Sequence, residues 1–422
     1  MKQIIALMLT YVFLLSVSTA QAAITESGSV YPSPVATTWN GYTGTDARLG
    51  IATAGYTPGV VTLDDGSDIA FGTGAALGVG WNIPDVGGQP GGTLTLDGDN
   101  ASDATTLSVS LLRVGYSQKG VVNVDGNATL TVGSSGAYLG AAAGGNGTLN
   151  ITGGGTVTLS GRLNIAYASS TGALVVGTEG STGPTCTLNA VDIEVSRADS
   201  TGSITVWDDG LINTTANIRL GRFGDAISSS LLVSGGTLQT SDVVYGYNST
   251  SDIIVRDGGL IDSAGGVLGN SSGTVLSAAT VEGEGSQWIS DSMVVGGGGK
   301  GSLLLYDGGE LVTETLVIDY DYGTGPTDSR IDMKGGKITL PGDLSDLATF
   351  MAAVQGSDEI YVLDQSTYAL IHVNSATLGD DYTLTYNSGD DTTTLASTTV
   401  PEPSTLILLL GVVFAGLILR KK

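Results

Sequence analysis

The sequence predicts an all-β fold, a right-handed parallel β-helix (solenoid) of about ten three-stranded coils. Three observations predict it: short runs alternating apolar and polar residues, recurrence of those runs every 22 to 30 residues, and glycine at 65 of 422 positions. The unit is clearest from Gly147 to Gly172, GTLNITGGGTVTLSGRLNIAYASSTG, with alternating runs at 149–151, 157–159 and 163–165. Period-two alternation sends Leu149 and Ile151 to one face and Asn150 to the other, the pattern of a half-buried strand. Three strands this short cannot bury an apolar face alone, so each unit needs copies on either side.

The copies begin at Leu94, Val122, Leu149, Leu174, Ile204, Leu231, Ile253, Ala279, Leu303 and Ile331, with a fainter one at Val61. The third run recurs as LRVGY, AYLGA, LNIAY, IEVSR, IRLGR, VVYGY and MVVGG. One such unit makes one coil, and coils pairing about 4.8 Å apart would build a rod roughly 50 Å long. Parallel crossovers wind right-handed. A β-propeller competes for Gly-rich repeats, but its blades need four strands and about 40 residues. Three strands in about 26 residues fit a coil.

Composition narrows the chemistry. Charged residues are 14% of the chain, well below the usual quarter or so, which suits a chain that turns every few residues on glycines able to take positive φ. The net charge of −25, from 41 acidic and 16 basic residues, argues against nucleic acid and anionic lipid as partners of the body. A single cysteine, Cys186, and a single histidine, His372, leave no internal disulfide, no Cys/His zinc cluster and no Cys-His nucleophile pair. Cys186 is expected as a small buried residue of a second strand, and His372 as an exposed strand residue. No cofactor or metal is implied.

Residues 1–22 read as an export signal: Lys2, an apolar core from Ile4 to Val17, and a small-x-small cleavage site at Ala20 and Ala22. The mature chain then begins near Ala23, after handling by the general export machinery and signal peptidase. Residues 23–60, with prolines, Trp39 and Tyr42, are expected to cap the N-terminal end, since an open coil presents unpaired backbone. The repeat array spans 61–340. Residues 341–391 form a C-terminal cap: a short helix with Leu344, Leu347, Phe350, Met351 and Val354 at helical spacing, capped by Asp343 or Ser345, then strands over 360–373 and 382–386. Thr-rich 392–400 reads as a linker.

In the tail, Pro401, Glu402 and Pro403 precede an apolar run from Leu406 to Leu419 and a basic end, Arg420, Lys421 and Lys422. That run predicts a short transmembrane helix, about 21 Å at 1.5 Å per residue, with the basic end cytoplasmic. This arrangement resembles the PEP-CTERM sorting tail of Gram-negative bacteria. The resemblance implies recognition of Pro401, Glu402 and Pro403 by an exosortase, a transpeptidase-like membrane protease. It also implies membrane retention through the helix and Arg420 to Lys422 until processing, and an association with exopolysaccharide and biofilm. The repeats loosely resemble those of autotransporter passengers and PEP-CTERM-associated repeat proteins. The residues after Leu340 are too few for an autotransporter barrel.

No catalytic constellation emerges. The first-turn acids Asp97, Asp125, Asp208, Asp257, Glu282 and Asp307 nearly all adjoin glycine, which is ordinary turn chemistry. Aligning the third runs puts Trp81, Tyr116, Tyr167, Arg197, Arg222, Tyr247 and Tyr320 at one position, interrupted by Ala141, Asn270 and Gly297. Such a stripe is either a structural ladder of planar groups or a glycan-binding surface in which Arg meets acidic sugars. The expected function is that of an exported structural or adhesive β-helix at the cell surface or in the extracellular matrix, without enzymatic chemistry. A carbohydrate-binding module, or a β-helix polysaccharide lyase or hydrolase, is the alternative.

Overall fold

The computed structural model describes residues 23–398 apart from 28–29, 32, 34, 40, 43–46, 50–57, 65, 81–90, 99–103, 224–227, 248–249, 271–275, 319–328 and 357–358. The signal segment 1–22 and the sorting tail 401–422, including its expected transmembrane helix, lie outside the described residues. The chain is all-β, a β-solenoid of about ten turns, and divides into two compact units between Ser251 and Asp252.

In the first unit, successive first strands pair in parallel: Gly59–Asp64, Gly92–Gly98, Lys119–Gly126, Asn146–Ile151, Thr171–Val176, Thr201–Val206 and Ser228–Ser234. The hydrogen-bonded register runs Val61, Leu94, Val122, Leu149, Leu174, Ile204, Leu231, the repeat starts legible in the sequence. Each of these residues is buried. A one-residue slip would turn the whole column outward, so burial fixes the register. Polar side chains in between form a second lock: Asn150 Nδ2 donates to Asn123 Oδ1 (2.9 Å), and Asn123 Nδ2 to Thr95 Oγ1 (3.3 Å).

Second and third strands stack likewise, from Thr106–Val109 and Leu111–Val114 to Gly210–Thr214 and Ile218–Phe223. Glycine stands at the start of the first strands from Gly59 to Gly202 because the chain there grazes the previous coil, and Ser229 takes its place in the next. A Cβ on Gly147 would sit 2.1 Å from the Val114 carbonyl oxygen. The N-terminal end is closed by Ala23–Ser27, which runs antiparallel to Gly59–Asp64. Glu26 accepts from the Val35 amide (2.7 Å), capping the short helix Val35–Thr38. Trp39 is fully buried and meets Phe71 edge-on at 5.3 Å.

In the second unit, Ser277–Glu282, Gly301–Tyr306, Arg330–Lys334 and Ile360–Leu363 pair in parallel, with Ala279, Leu303, Ile331 and Ile360 in register. Here the second and third strands of a coil run on without a break. Second and third strands fuse into Leu260–Leu268, Gln287–Val295 and Glu310–Ile318, and Thr237–Gly246 already does so at the end of the first unit. A buried hydroxyl replaces the turn at each bend: Thr313 Oγ1 donates to the Thr315 carbonyl (2.9 Å), and Ser290 Oγ to Thr313 Oγ1 (3.3 Å).

The C-terminal helix spans Leu347–Ala353, buries Phe350, and is capped by Asp346 through the Thr349 amide, not by Asp343 or Ser345. His372 ends the strand Leu370–His372 and is half-buried, its ring 5.6 Å from Tyr361, rather than openly exposed. The expected linker 392–400 is largely a strand. Thr392–Ser397 pairs antiparallel with Lys337–Pro341 on one side and Tyr382–Asn387 on the other. Its period-two pattern buries Thr393, Leu395 and Ser397, and the high threonine content that suggested a tether is also high β propensity.

Candidate functional site

The third face of the first unit gathers most of the residues singled out for binding. Val114, Leu139, Ile165, Val195 and Leu220 are partners in successive strands. Tyr116, Ala141 and Tyr167, each two residues on, therefore occupy equivalent corners, as the alignment expects. Beyond them the alignment is off by one. Ser196 has φ 58° and the pairing shifts between Val195 and Arg197, so Arg197 partners Phe223 instead of Arg222. Leu220 partners Gly246, which puts Tyr247 level with Gly221. Trp81 and Tyr320 lie outside the described residues.

A second column, missed in the sequence, runs inside the first. Arg113, Tyr138, Asn164, Glu194, Arg219 and Tyr245 are successive register partners at the outward middle of each third strand. Its signal was present: the middle residue of LRV, AYL, LNI, IEV, IRL and VYG is polar or aromatic every time. The two columns interlock. The Arg197 guanidinium lies 4.9 Å from the Tyr167 ring centre and that of Arg113 5.6 Å from Tyr116. Tyr138 meets Tyr167 edge-on at 5.7 Å, and Tyr245 lies 5.3 Å from Tyr247.

Beneath them is a charged cluster. Arg162 Nε donates to both carboxylate oxygens of Asp192 (3.0 and 2.9 Å), and its Nη1 to Glu194 Oε2 (2.9 Å). Arg219 Nη1 donates to Asp192 Oδ2 (2.9 Å), and Arg222 stands 3.9 Å from Glu194. The Asp192 and Glu194 side chains are only 10% and 1% exposed. The hydrogen bond to Asp192 raises the Arg162 pKa above its ordinary value. Glu194 Oε1 is buried without a hydrogen-bond partner among the described residues. Five arginines, at 113, 162, 197, 219 and 222, thus share one face of a chain with only 16 basic residues. Such a face can lay planar rings and guanidinium groups against a ligand carrying planar or anionic groups.

Four of the first-turn acids serve the turns. Asp125 Oδ1 accepts from the Gly126 amide (2.9 Å) and Thr152 Oγ1 (3.0 Å), although it lines a recess of about 500 Å³ with Gly98, Gly153 and Pro184. Asp208 accepts from the Gly180 amide (2.8 Å), and Asp257 and Asp307 adopt φ of 55° and 49°. Cys186 is buried in the strand Cys186–Ala190, and burial pushes its thiol pKa up. Among the described residues no three His, Cys, Asp or Glu side chains are grouped to hold a metal ion.

Residues 399–422 match the PEP-CTERM protein-sorting motif. No curated protein and no solved structure matches the chain. The motif covers Pro401, Glu402 and Pro403 and the basic end, Arg420 to Lys422, and implies an exported, surface-sorted protein processed by an exosortase-type enzyme. No helix of the described residues is long and apolar enough to cross a membrane.

Proposed function

We propose that this exported protein is a structural or adhesive component of the cell surface or extracellular matrix, associated with exopolysaccharide or biofilm, and that it acts by presentation rather than catalysis. The observation that carries the reading is the sorting motif following a body of in-register coils. Coils in register repeat outward side chains at strand spacing, a suitable surface for a repetitive partner such as a polysaccharide. Deleting the gene should weaken matrix retention of extracellular polysaccharide, and unchanged retention would count against the proposal.

A second reading, that the third face itself binds acidic glycan, is favoured by the concentration of arginine and tyrosine there in a chain of net charge −25. The combined replacements Tyr116→Ala, Tyr167→Ala and Tyr247→Ala should lower retention on an immobilised acidic polysaccharide at least tenfold, as expected for two or three stacking contacts of about 1 kcal/mol. Undiminished retention would leave the face a purely structural ladder.

A further inference from the structure

The chain is fastened to the folded body almost up to the sorting motif. Within the second unit, Leu395 is fully buried in the strand Thr392–Ser397, and Thr393 Oγ1 donates to the Gly342 carbonyl (2.7 Å). The Ser397 amide donates to Gly336 O (3.0 Å). Thr398 is held on three sides: its amide donates to Asp381 O (3.0 Å), its hydroxyl to Asp380 O (2.8 Å), and its carbonyl accepts from Gln365 Nε2 (3.3 Å). Pro401 follows three residues later, so the motif begins within about 11 Å of a fixed point even on a fully extended chain.

Asp364, Gln365, Asp380 and Asp381 line a recess of about 450 Å³ where the chain leaves the body. The carboxylates of Asp364 and Asp381 are taken up by backbone amides of this cap: Asp381 accepts from Gln365 (2.9 Å) and Thr377 (2.8 Å), and Asp364 from Ser366 (2.7 Å) and Thr367 (2.9 Å). The exit is therefore a built, rigid surface. Peeling away the last strand would break both of its ladders and expose Leu395.

We infer that the sorting tail is processed with this strand in place, and that the exit face around Thr398, Asp380 and Gln365 seats directly on the membrane-bound processing enzyme as part of its recognition surface. This rests on the sorting reading of residues 399–422. Contact with the body adds to the affinity of the motif because both are joined by a tether too short to let either diffuse away.

The test uses the full chain in its own cells, with the mass of the recovered protein reporting processing. Thr385 and Thr394 are partners in the terminal hairpin, so Thr385→Cys with Thr394→Cys locks the strand by a disulfide in the oxidising exported environment. Processing of the locked chain should stay within twofold of wild type. Processing that stops, and returns on reduction, would overturn the inference by showing that the strand must peel. Inserting eight Gly/Ser residues between Thr398 and Thr399 should slow processing several-fold by releasing the body from the enzyme. An equal or faster rate would overturn the docking surface. Should the wild-type chain itself remain unprocessed, the sorting reading fails instead, a distinguishable result.

Discussion

In the first unit one bend between second and third strands, at Val191 and Asp192, carries charge, with Asp192 and the neighbouring Glu194 buried beneath Arg162 and Arg219. In the second unit the corresponding bends bury hydroxyls and leave their carboxylates, Asp291 and Glu314, exposed: Ser263 accepts from Trp288 Nε1 (3.1 Å), and Ser290 and Thr313 bond to each other. A hydroxyl donates and accepts while neutral, so it satisfies the bend without a charged partner. A buried carboxylate needs cations on several sides, and the chain breaks there, leaving Val191 exposed. The hydroxyl bend is the economical way to turn a coil. The charged one holds an array of arginines on the surface at a cost in robustness.

That contrast predicts unequal sensitivities. Arg162→Ala should cost about 3 kcal/mol of unfolding free energy, read by urea titration, because the buried Glu194 loses its 2.9 Å partner and Asp192 keeps only Arg219; Arg162 is itself 39% exposed, which keeps the effect at the low end for a broken buried pair. A loss below about 1 kcal/mol would mean that water replaces the guanidinium and the bends are alike. Ser263→Ala should cost about 1–2 kcal/mol, since the fully buried Trp288 indole N–H loses its acceptor. If Ser263→Ala costs as much as Arg162→Ala, the distinction collapses.

The smallest effect has the opposite sign. Burial pushes the Asp332 carboxyl above its ordinary pKa, partly offset by Arg330 at 3.0 Å. A carboxyl raised in the folded state favours folding fully below its unfolded pKa, and that contribution disappears as pH rises through the folded value. Asp332→Asn should therefore slightly raise the unfolding midpoint at pH 7, with the gain vanishing below about pH 4, where the aspartate is protonated in both states. A midpoint that falls at pH 7 would mean that the Arg330 pairing outweighs the burial.

The coil register was legible because burial writes it at period two: Val61 through Leu231, and Ala279 through Ile331, pair as their alternation required. Three things were not legible. The fused strands hide because Thr240, Ser263, Ser290 and Thr313 look like turn residues until their hydroxyls are seen turned inward. The one-residue offset at Arg222 follows from the positive φ of Ser196, a conformation that a serine in sequence does not announce, and the offset at Tyr247 from the pairing of Leu220 with Gly246. The strand Thr392–Ser397 looks like a linker in sequence because threonine is equally at home in both, and its partner Lys337–Pro341 lies some fifty residues earlier. For the site, the aromatic and arginine corners were visible as a repeat, whereas the inner column became clear only once the third strands were paired.

Sorting is tested most directly by the intact mass of the protein recovered from its own cells, with membrane and released fractions kept apart. An exported, sorted surface protein predicts a chain that begins near Ala23 and ends near Pro401 to Pro403, or carries added mass there. A chain that still ends at Lys422 and is found only in the membrane would contradict it, reducing the tail to a plain anchor.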